Sequence, residues 1–344
     1  MRRSRTVWPW FAAAVAALAA ALVVGAAAGA ASLGPADVTR ELLSRLPLGV
    51  TSPLNDRQVA VIVELRLPRV VLGALVGALL AAAGAAYQGV FRNPLADPYL
   101  LGAAGGAGLG ATAVIAYGPL LFDGGTRGLV PVAAFVGALA GVAAAYALGS
   151  SAGRGGTAAL VLAGVAVSSF LSAAQTLVQT TRIEELRRIY SWVLGGLNRG
   201  GWEDVAMIAP YAAAATLVLL GCGYLLDLLA LGDEKAQSLG MNPTAVRLAV
   251  IGAASLATAA AVSVSGLIGF VGIVVPHIVR RLVGADYRRI LPMSLIAGAA
   301  FLVLVDVIAR TVIAPAELPL GVVTAFLGAP FFLLILRTTR HRAT

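Results

Sequence analysis

Long apolar stretches almost free of charge recur along this chain, and they limit its folds more than any other feature. Read with Gly, Pro and charge as punctuation, the runs fall near residues 7–31, 70–90, 99–117, 129–149, 157–181, 205–226, 248–265, 269–283, 290–310 and 321–336. A hydrocarbon layer about 30 Å thick takes about 20 apolar residues of helix to cross. Backbone left unpaired inside that layer is too costly to persist, so the runs must be helical. The pattern predicts an all-α polytopic membrane protein of about ten transmembrane helices, with residues 1–344 forming one transmembrane domain. Composition agrees: 59% of the 344 residues are hydrophobic and 12% are charged, where soluble domains carry about a quarter charged.

The formal net charge of +9 would suggest nucleic acid as a partner of a soluble protein. Here the cations sit in short connections between apolar runs, so the positive-inside rule explains them and no nucleic acid is expected. With the N-terminus in the cytoplasm, an even number of spans returns the C-terminus there. The cytoplasmic segments then hold fourteen Lys and Arg, including Arg2, Arg3, Arg5, Arg92, Arg154, Lys235, Arg247, Arg280 and Arg342, against five carboxylates. The outer segments hold eleven cations against ten carboxylates, and Asp306 lies within the ninth run. The start, Met1-Arg2-Arg3-Ser4-Arg5, resembles the head of a signal peptide. The apolar run behind it is about twice a signal core, so it reads as a retained first span. Cys222, the single cysteine, has no partner for an intrachain disulfide.

Several function classes drop out. The chain contains no GxxxxGK[ST] phosphate loop, so it cannot bind ATP by that route. His277 and His341 are the only histidines, and no His, Cys or carboxylate cluster has metal-ligand spacing, so no metal or other cofactor is expected. Ion-coupled carriers place carboxylates deep in the membrane, whereas only Asp306 lies clearly inside a run. An ion-coupled secondary transporter is therefore the weaker alternative, and an intramembrane enzyme lacks a nucleophile and base pair.

Three polar interruptions stand out. Residues 231–246 place Asp233 and Glu234 where a helix N-terminus favours anions and Gly240 where a left-handed residue ends a helix. Asn242 then caps a second helix with Pro243 at its first position. This predicts two short helices at a sharp angle, either a well-capped loop or a docking knob for a cytoplasmic partner. Between the second and third runs, Asn93-Pro94 and Asp97-Pro98 forbid a continuous helix and impose a structural turn. On the outer side, Arg66 and Arg69 precede the second run while Asp306 and Arg310 lie four apart. They form either an internal salt bridge or a pocket for a partner's carboxylates. Glycines such as Gly73, Gly77 and Gly84, or Gly102, Gly105, Gly106 and Gly110, read as close helix packing.

Taken together, these motifs resemble a known family. Arg66-Leu-Pro-Arg69, Gln88-Gly89, Arg92-Asn-Pro-Leu-Ala-Asp-Pro98 and Gly232-Asp-Glu-Lys-Ala-Gln-Ser-Leu-Gly240 occur in order. Gly266-Leu-Ile-Gly-Phe-Val-Gly-Ile-Val-Val-Pro-His277, Asp306 to Arg310 and Ala314-Pro-Ala-Glu-Leu-Pro-Leu-Gly-Val-Val-Thr324 follow. The set resembles the FecCD-type permease subunits of iron-chelate, haem and cobalamin importers, which are type II ABC importers. The resemblance implies a ten-helix subunit in a bacterial cytoplasmic (inner) membrane, pairing with a second permease subunit as a homodimer. It implies two cytoplasmic ABC ATPase subunits that bind ATP and Mg, each gripping Gly232, Asp233, Glu234, Lys235, Ala236, Gln237, Ser238, Leu239 and Gly240. It also implies an extracytoplasmic substrate-binding protein whose glutamates are received at Arg66, Arg69 and Arg310. The implied cargo is a metal chelate, first a ferric siderophore, with cobalamin or haem as alternatives.

Overall fold

The structure, a computed structural model, describes residues 7–29, 33–45, 47, 49–121, 126, 128–151, 156–198 and 200–340, with the side chains of 334–340 left aside. Arg2, Arg3, Arg5, Arg154 and Arg342 of the orientation reading lie outside the described residues.

All regular structure among the described residues is helical. The N-terminal third comprises α1 (Trp8–Ala27), α2 (Pro35–Ser44), α3 (Asp56–Ala60) and, through a π turn at Val61–Arg66, α4 (Leu67–Val90). Next come α5 (Ala103–Leu121), α6 (Leu129–Ser151), α7 (Gly156–Thr181) and α8 (Leu186–Val193). Then follow α9 (Trp202–Gly221), α10 (Gly223–Ala230), α11 (Asp233–Ser238) and α12 (Pro243–Ser265). The chain ends with α13 (Val271–Val283), α14 (Tyr287–Thr311) and α15 (Leu320–Arg340).

Eight helical stretches among the described residues are long and apolar enough to cross a membrane, and each coincides with one of the ten expected runs. The other two runs are α13 and α15. At 13 residues and about 1.5 Å per residue, α13 reaches about 20 Å, short of the hydrocarbon layer. In α15, 21 residues from Leu320 to Arg340, the sequence stays apolar as far as Leu336, ahead of Arg337. The second run begins earlier than expected, because Asp56–Val90 forms one stretch of 35 residues. A capping box starts it: Asn55 Oδ1 accepts from Gln58 N at 3.0 Å and Gln58 Oε1 accepts from Asn55 N at 3.1 Å.

That long stretch is the centre of the molecule. Its most apolar window is 78% buried, against 17% for α7, so α4 is enclosed by helices while α7 keeps a face uncovered. Helices α12, α13 and α14 pack around α4. The approach is at backbone level: a methyl group at Gly84 would overlap the carbonyl of Gly272 in α13. Such contacts hold helices together in lipid, where hydrophobicity gives no preference for helix over tail. Tyr87 Oη and Ser255 Oγ, 2.7 Å apart in the buried interior, add a hydrogen bond between α4 and α12.

A five-residue break separates α12 from α13. Gly266 turns it with φ +66°, and Phe270 adopts φ +68°, a left-handed conformation that costs a non-glycine residue energy. The break is tied by Tyr99 Oη, which accepts from Ile268 N and donates to Ile268 O, both at 3.1 Å.

Candidate functional site

Two polar clusters sit at opposite ends of the α4 and α12 pair. The first is built on α11. Gly232 opens the helix at φ +104°, and Gly240 closes it at φ +82°. Met241 N reaches back to Ala236 O at 3.0 Å and Gly240 N to Gln237 O at 2.9 Å, satisfying the final carbonyls. Ala236 is fully buried and roots the turn, whereas Glu234, Lys235, Gln237, Ser238, Leu239 and Gly240 are exposed. Leu239 at 61% exposure is an apolar side chain offered to solvent at the tip.

Asp233 fastens this knob to two membrane helices. Its Oδ1 accepts from Arg92 Nη2 at 2.5 Å and from Arg247 Nη2 at 2.6 Å. Arg92 follows α4 and Arg247 lies in the first turns of α12, so one carboxylate joins three elements. The hydrogen bond from Arg247, and the positive charges of both arginines, hold the Asp233 carboxyl below its usual range against a smaller desolvation cost.

One expectation is corrected here. The second short helix of 231–246 is not separate: Pro243 opens α12, which runs unbroken to Ser265. The expected cap is present, with Asn242 Oδ1 accepting from Ala245 N at 3.1 Å. A cap and an N-terminal proline report where a helix begins and carry nothing about its length, which the apolar run from 248 decides.

The turn from α4 to α5 has the expected chemistry. Asn93 Oδ1 accepts from Leu95 N at 3.0 Å and Asp97 Oδ1 from Tyr99 N at 2.8 Å, so each acid or amide shapes the turn around the proline that follows it. Pro98 is buried and packs on Gly272, while Pro94 is exposed. Burial pushes the Asp97 carboxyl up to about 6, opposed by the Tyr99 N–H.

The second cluster gathers Arg66, Arg69 and Arg310 with Asp306 and Glu317. Arg66 Nη1 donates to Ala26 O at 3.0 Å and Ala27 O at 2.6 Å. Arg310 donates to Gly25 O at 3.0 Å and Ala28 O at 3.1 Å. Two guanidinium groups thus cap the C-terminus of α1, where orphan carbonyls and the helix dipole favour positive charge. The i,i+4 pair is also present, with Arg310 Nε 3.0 Å from Asp306 Oδ2.

Arg69 lies between two carboxylates. Its Nε and Nη2 donate to Asp306, the shortest contact being 2.8 Å, and its Nη1 and Nη2 donate to the two oxygens of Glu317, each at 2.9 Å. Glu317 went unremarked as a partner in the sequence, although it lies in the Ala314-Pro-Ala-Glu-Leu-Pro segment; Arg247 entered only as a loop charge. No local pattern joins Glu317 to Arg69, 248 positions away, and Arg247 meets Asp233, 14 positions away, only across the turn between α11 and α12.

The long apolar helices, with a polar knob at one end and an arginine cluster at the other, define a multi-pass membrane protein. The chain belongs to the FecCD transport family, whose model matches residues 15–338. It is 43% identical over 279 residues to the cobalamin import system permease protein of Halobacterium salinarum, covering 81% of this chain and 74% of that one. With the hemin transport system permease protein of Yersinia pestis it shares 39% identity over 318 residues, 91% and 93% of the two chains. A solved chain described as a metal-chelate type ABC transporter in an inward-facing conformation superposes with TM-score 0.82 at 30% identity, covering 95% of this chain and 98% of that one.

Proposed function

We propose that this chain is the permease subunit of an ABC importer for a metal chelate, cobalamin or haem, with a ferric siderophore as the first substrate class. The observation that carries this reading is the α11 knob, six exposed residues over one buried alanine, fixed by Asp233 to α4 and α12. A rigid protrusion of this kind, in a chain with no phosphate loop, suits a partner that supplies the force. Two cytoplasmic ATPase subunits, which hold the ATP and Mg, each grip one knob of a permease homodimer. Their closure moves α11, and the two arginines pass that movement to α4 and α12. The chain itself carries no cofactor and breaks no bond.

The uncovered face of α7 supports a bulky, already chelated cargo. Ser169, Ser172, Thr176 and Thr180 are exposed at helical spacing, beside exposed Leu162 and Phe170. Hydroxyls and apolar side chains without charge suit a large ligand whose metal is satisfied by its own donors. Delivery comes from an extracytoplasmic binding protein at the Arg66, Arg69 and Arg310 end, and the excess of cations at the α11 end supports its placement in the cytoplasm of a bacterial inner membrane. A cobalamin cargo is the second reading, favoured by the 43% identity to the halobacterial relative.

Reconstitution in liposomes with the ATPase and binding protein tests the proposal, with ferric siderophore, cobalamin and haem compared side by side. ATP-dependent uptake of one of them is expected. Uptake driven by an ion gradient in the absence of ATP would overturn the reading in favour of a secondary transporter.

A further inference from the structure

The arginine cluster carries an inference about how docking is regulated, and it rests on the reading that a binding protein presents carboxylates to this end of the molecule. Arg66 and Arg310 are committed to the carbonyls that end α1; Arg66 is 7% exposed and the Arg310 side chain 6%. Arg69 differs, because its Nε edge faces Asp306 while its outer Nη edge meets Glu317 fork to fork. The exposures of the acids are unequal: the Asp306 side chain is 3% exposed and that of Glu317 is 36%. One carboxylate is therefore part of the interior, and the other closes the Nη edge from the solvent side.

We infer that Glu317 is a built-in stand-in for the docking carboxylate, and that an incoming acidic side chain takes its place on Arg69. The end-on geometry of Glu317, with both nitrogens bonded at 2.9 Å, is the geometry any carboxylate adopts on a guanidinium edge. The exchange keeps Arg69 paired throughout, avoiding the cost of an unpaired, largely buried charge. It also changes the local balance. Three arginines against Asp306 and Glu317 leave one net positive charge; with Glu317 swung into water two remain, enough for two acidic groups of a partner.

The backbone around Glu317 confines the change to a side chain and its immediate strap. Leu318 N donates to Ala309 O at 2.9 Å, Leu320 N to Gly195 O and Gly321 N to Leu194 O, both at 3.0 Å. These bonds hold the strap between α14 and α15 on one side and the exit of α8 on the other. Glu317 thus acts as a competitor that sets the threshold for docking, and it favours partners able to offer a carboxylate in the same end-on pose.

The test measures docking of the cognate extracytoplasmic binding protein to the assembled transporter in nanodiscs, by surface plasmon resonance. Glu317→Gln keeps the volume and removes the competing charge, so Kd is expected to fall by about threefold to tenfold, mainly through faster association. Glu317→Asp, one methylene too short to hold the Nη edge, should give a smaller gain in the same direction. An unchanged or raised Kd for Glu317→Gln would overturn the exchange, since a purely structural or directly contacting Glu317 gives those results. Docking that is insensitive to Arg69→Gln in the Glu317→Gln background would instead overturn the underlying reading that this cluster receives the partner.

Discussion

Gly77 of α4 and Gly298 of α14 meet backbone to backbone: a methyl group built on either would overlap the carbonyl oxygen of the other. The contact joins the most buried helix to the one carrying Asp306 and Arg310. It depends on the absence of two side chains, not on the presence of any. Gly77→Ala, or Gly298→Ala, which also meets Ala81 Cβ, must separate the helices, and overpacking of this kind costs about 1–3 kcal/mol. Thermal unfolding in detergent should show a lower midpoint for either variant. A midpoint equal to wild type would mean that the helices are not held this closely in the folded protein.

Arg66 and Arg310 should behave first as structural residues. Each gives two hydrogen bonds to the end of α1, and charge-assisted bonds contribute about 1.5–3 kcal/mol each. Arg310→Met keeps an unbranched chain and removes the donors. Hydrogen exchange at residues 24–28, or protease cutting just after α1, is expected to increase in this variant and in Arg66→Met. Docking defects in these two variants then report on α1 anchorage unless exchange there is unchanged, whereas Arg69, whose side chain bonds to Asp306 and Glu317, is the position that tests the proposed partner contact.

Tyr99→Phe isolates a single hydroxyl. Ile268 is 1% exposed, and Tyr99 Oη serves both its N–H and its carbonyl, so the variant leaves two backbone groups without that partner where α12 gives way to α13. An unsatisfied buried group costs about 1–3 kcal/mol. The Ile268 amide should exchange faster by at least tenfold, with α12 itself little changed. Slow exchange at Ile268 in the variant would show that another group holds the break.

What could be read from the sequence divides by range. The apolar runs gave the long helices because length and the absence of charge are local quantities, and α4, α6 and α7 fall on the runs at 70–90, 129–149 and 157–181. Local capping chemistry was equally legible: Gly232, Gly240, Asn242, Asn93 and Asp97 all occupy the conformations or bonds their types suggest. Amphipathic pieces lying between the runs were not. In α2, Val38 and Glu41 are buried while the helix is polar on average, so hydropathy passes over it. Partnerships across the chain were also invisible, Arg69 with Glu317 and Arg92 with Asp233 being 248 and 141 residues apart. The Asp306–Arg310 pair could be anticipated because i,i+4 spacing on one helix fixes the geometry.

Asp233 links the knob to pH. Its carboxyl is held below the ordinary value of 3.8 by Arg247 and Arg92, so the folded state binds that proton less readily than the unfolded chain. The stabilisation is therefore present in full above about pH 4 and is lost as pH falls through the depressed value. With the side chain 39% exposed, solvent screens the pairs and the effect on global stability is about 1 kcal/mol or less. On the proposed coupling role the functional effect is expected to be larger, because the carboxylate ties α11 to Arg92 after α4 and to Arg247 of α12. Asp233→Asn keeps the shape but removes both ion pairs, and is expected to lower ATP-driven uptake by at least fivefold while the ATPases still hydrolyse ATP. The local unfolding of α11 seen by hydrogen exchange should lose its dependence on acid in this variant. Full uptake by Asp233→Asn, at neutral pH and at pH 4 alike, would show that force reaches α4 and α12 by another route.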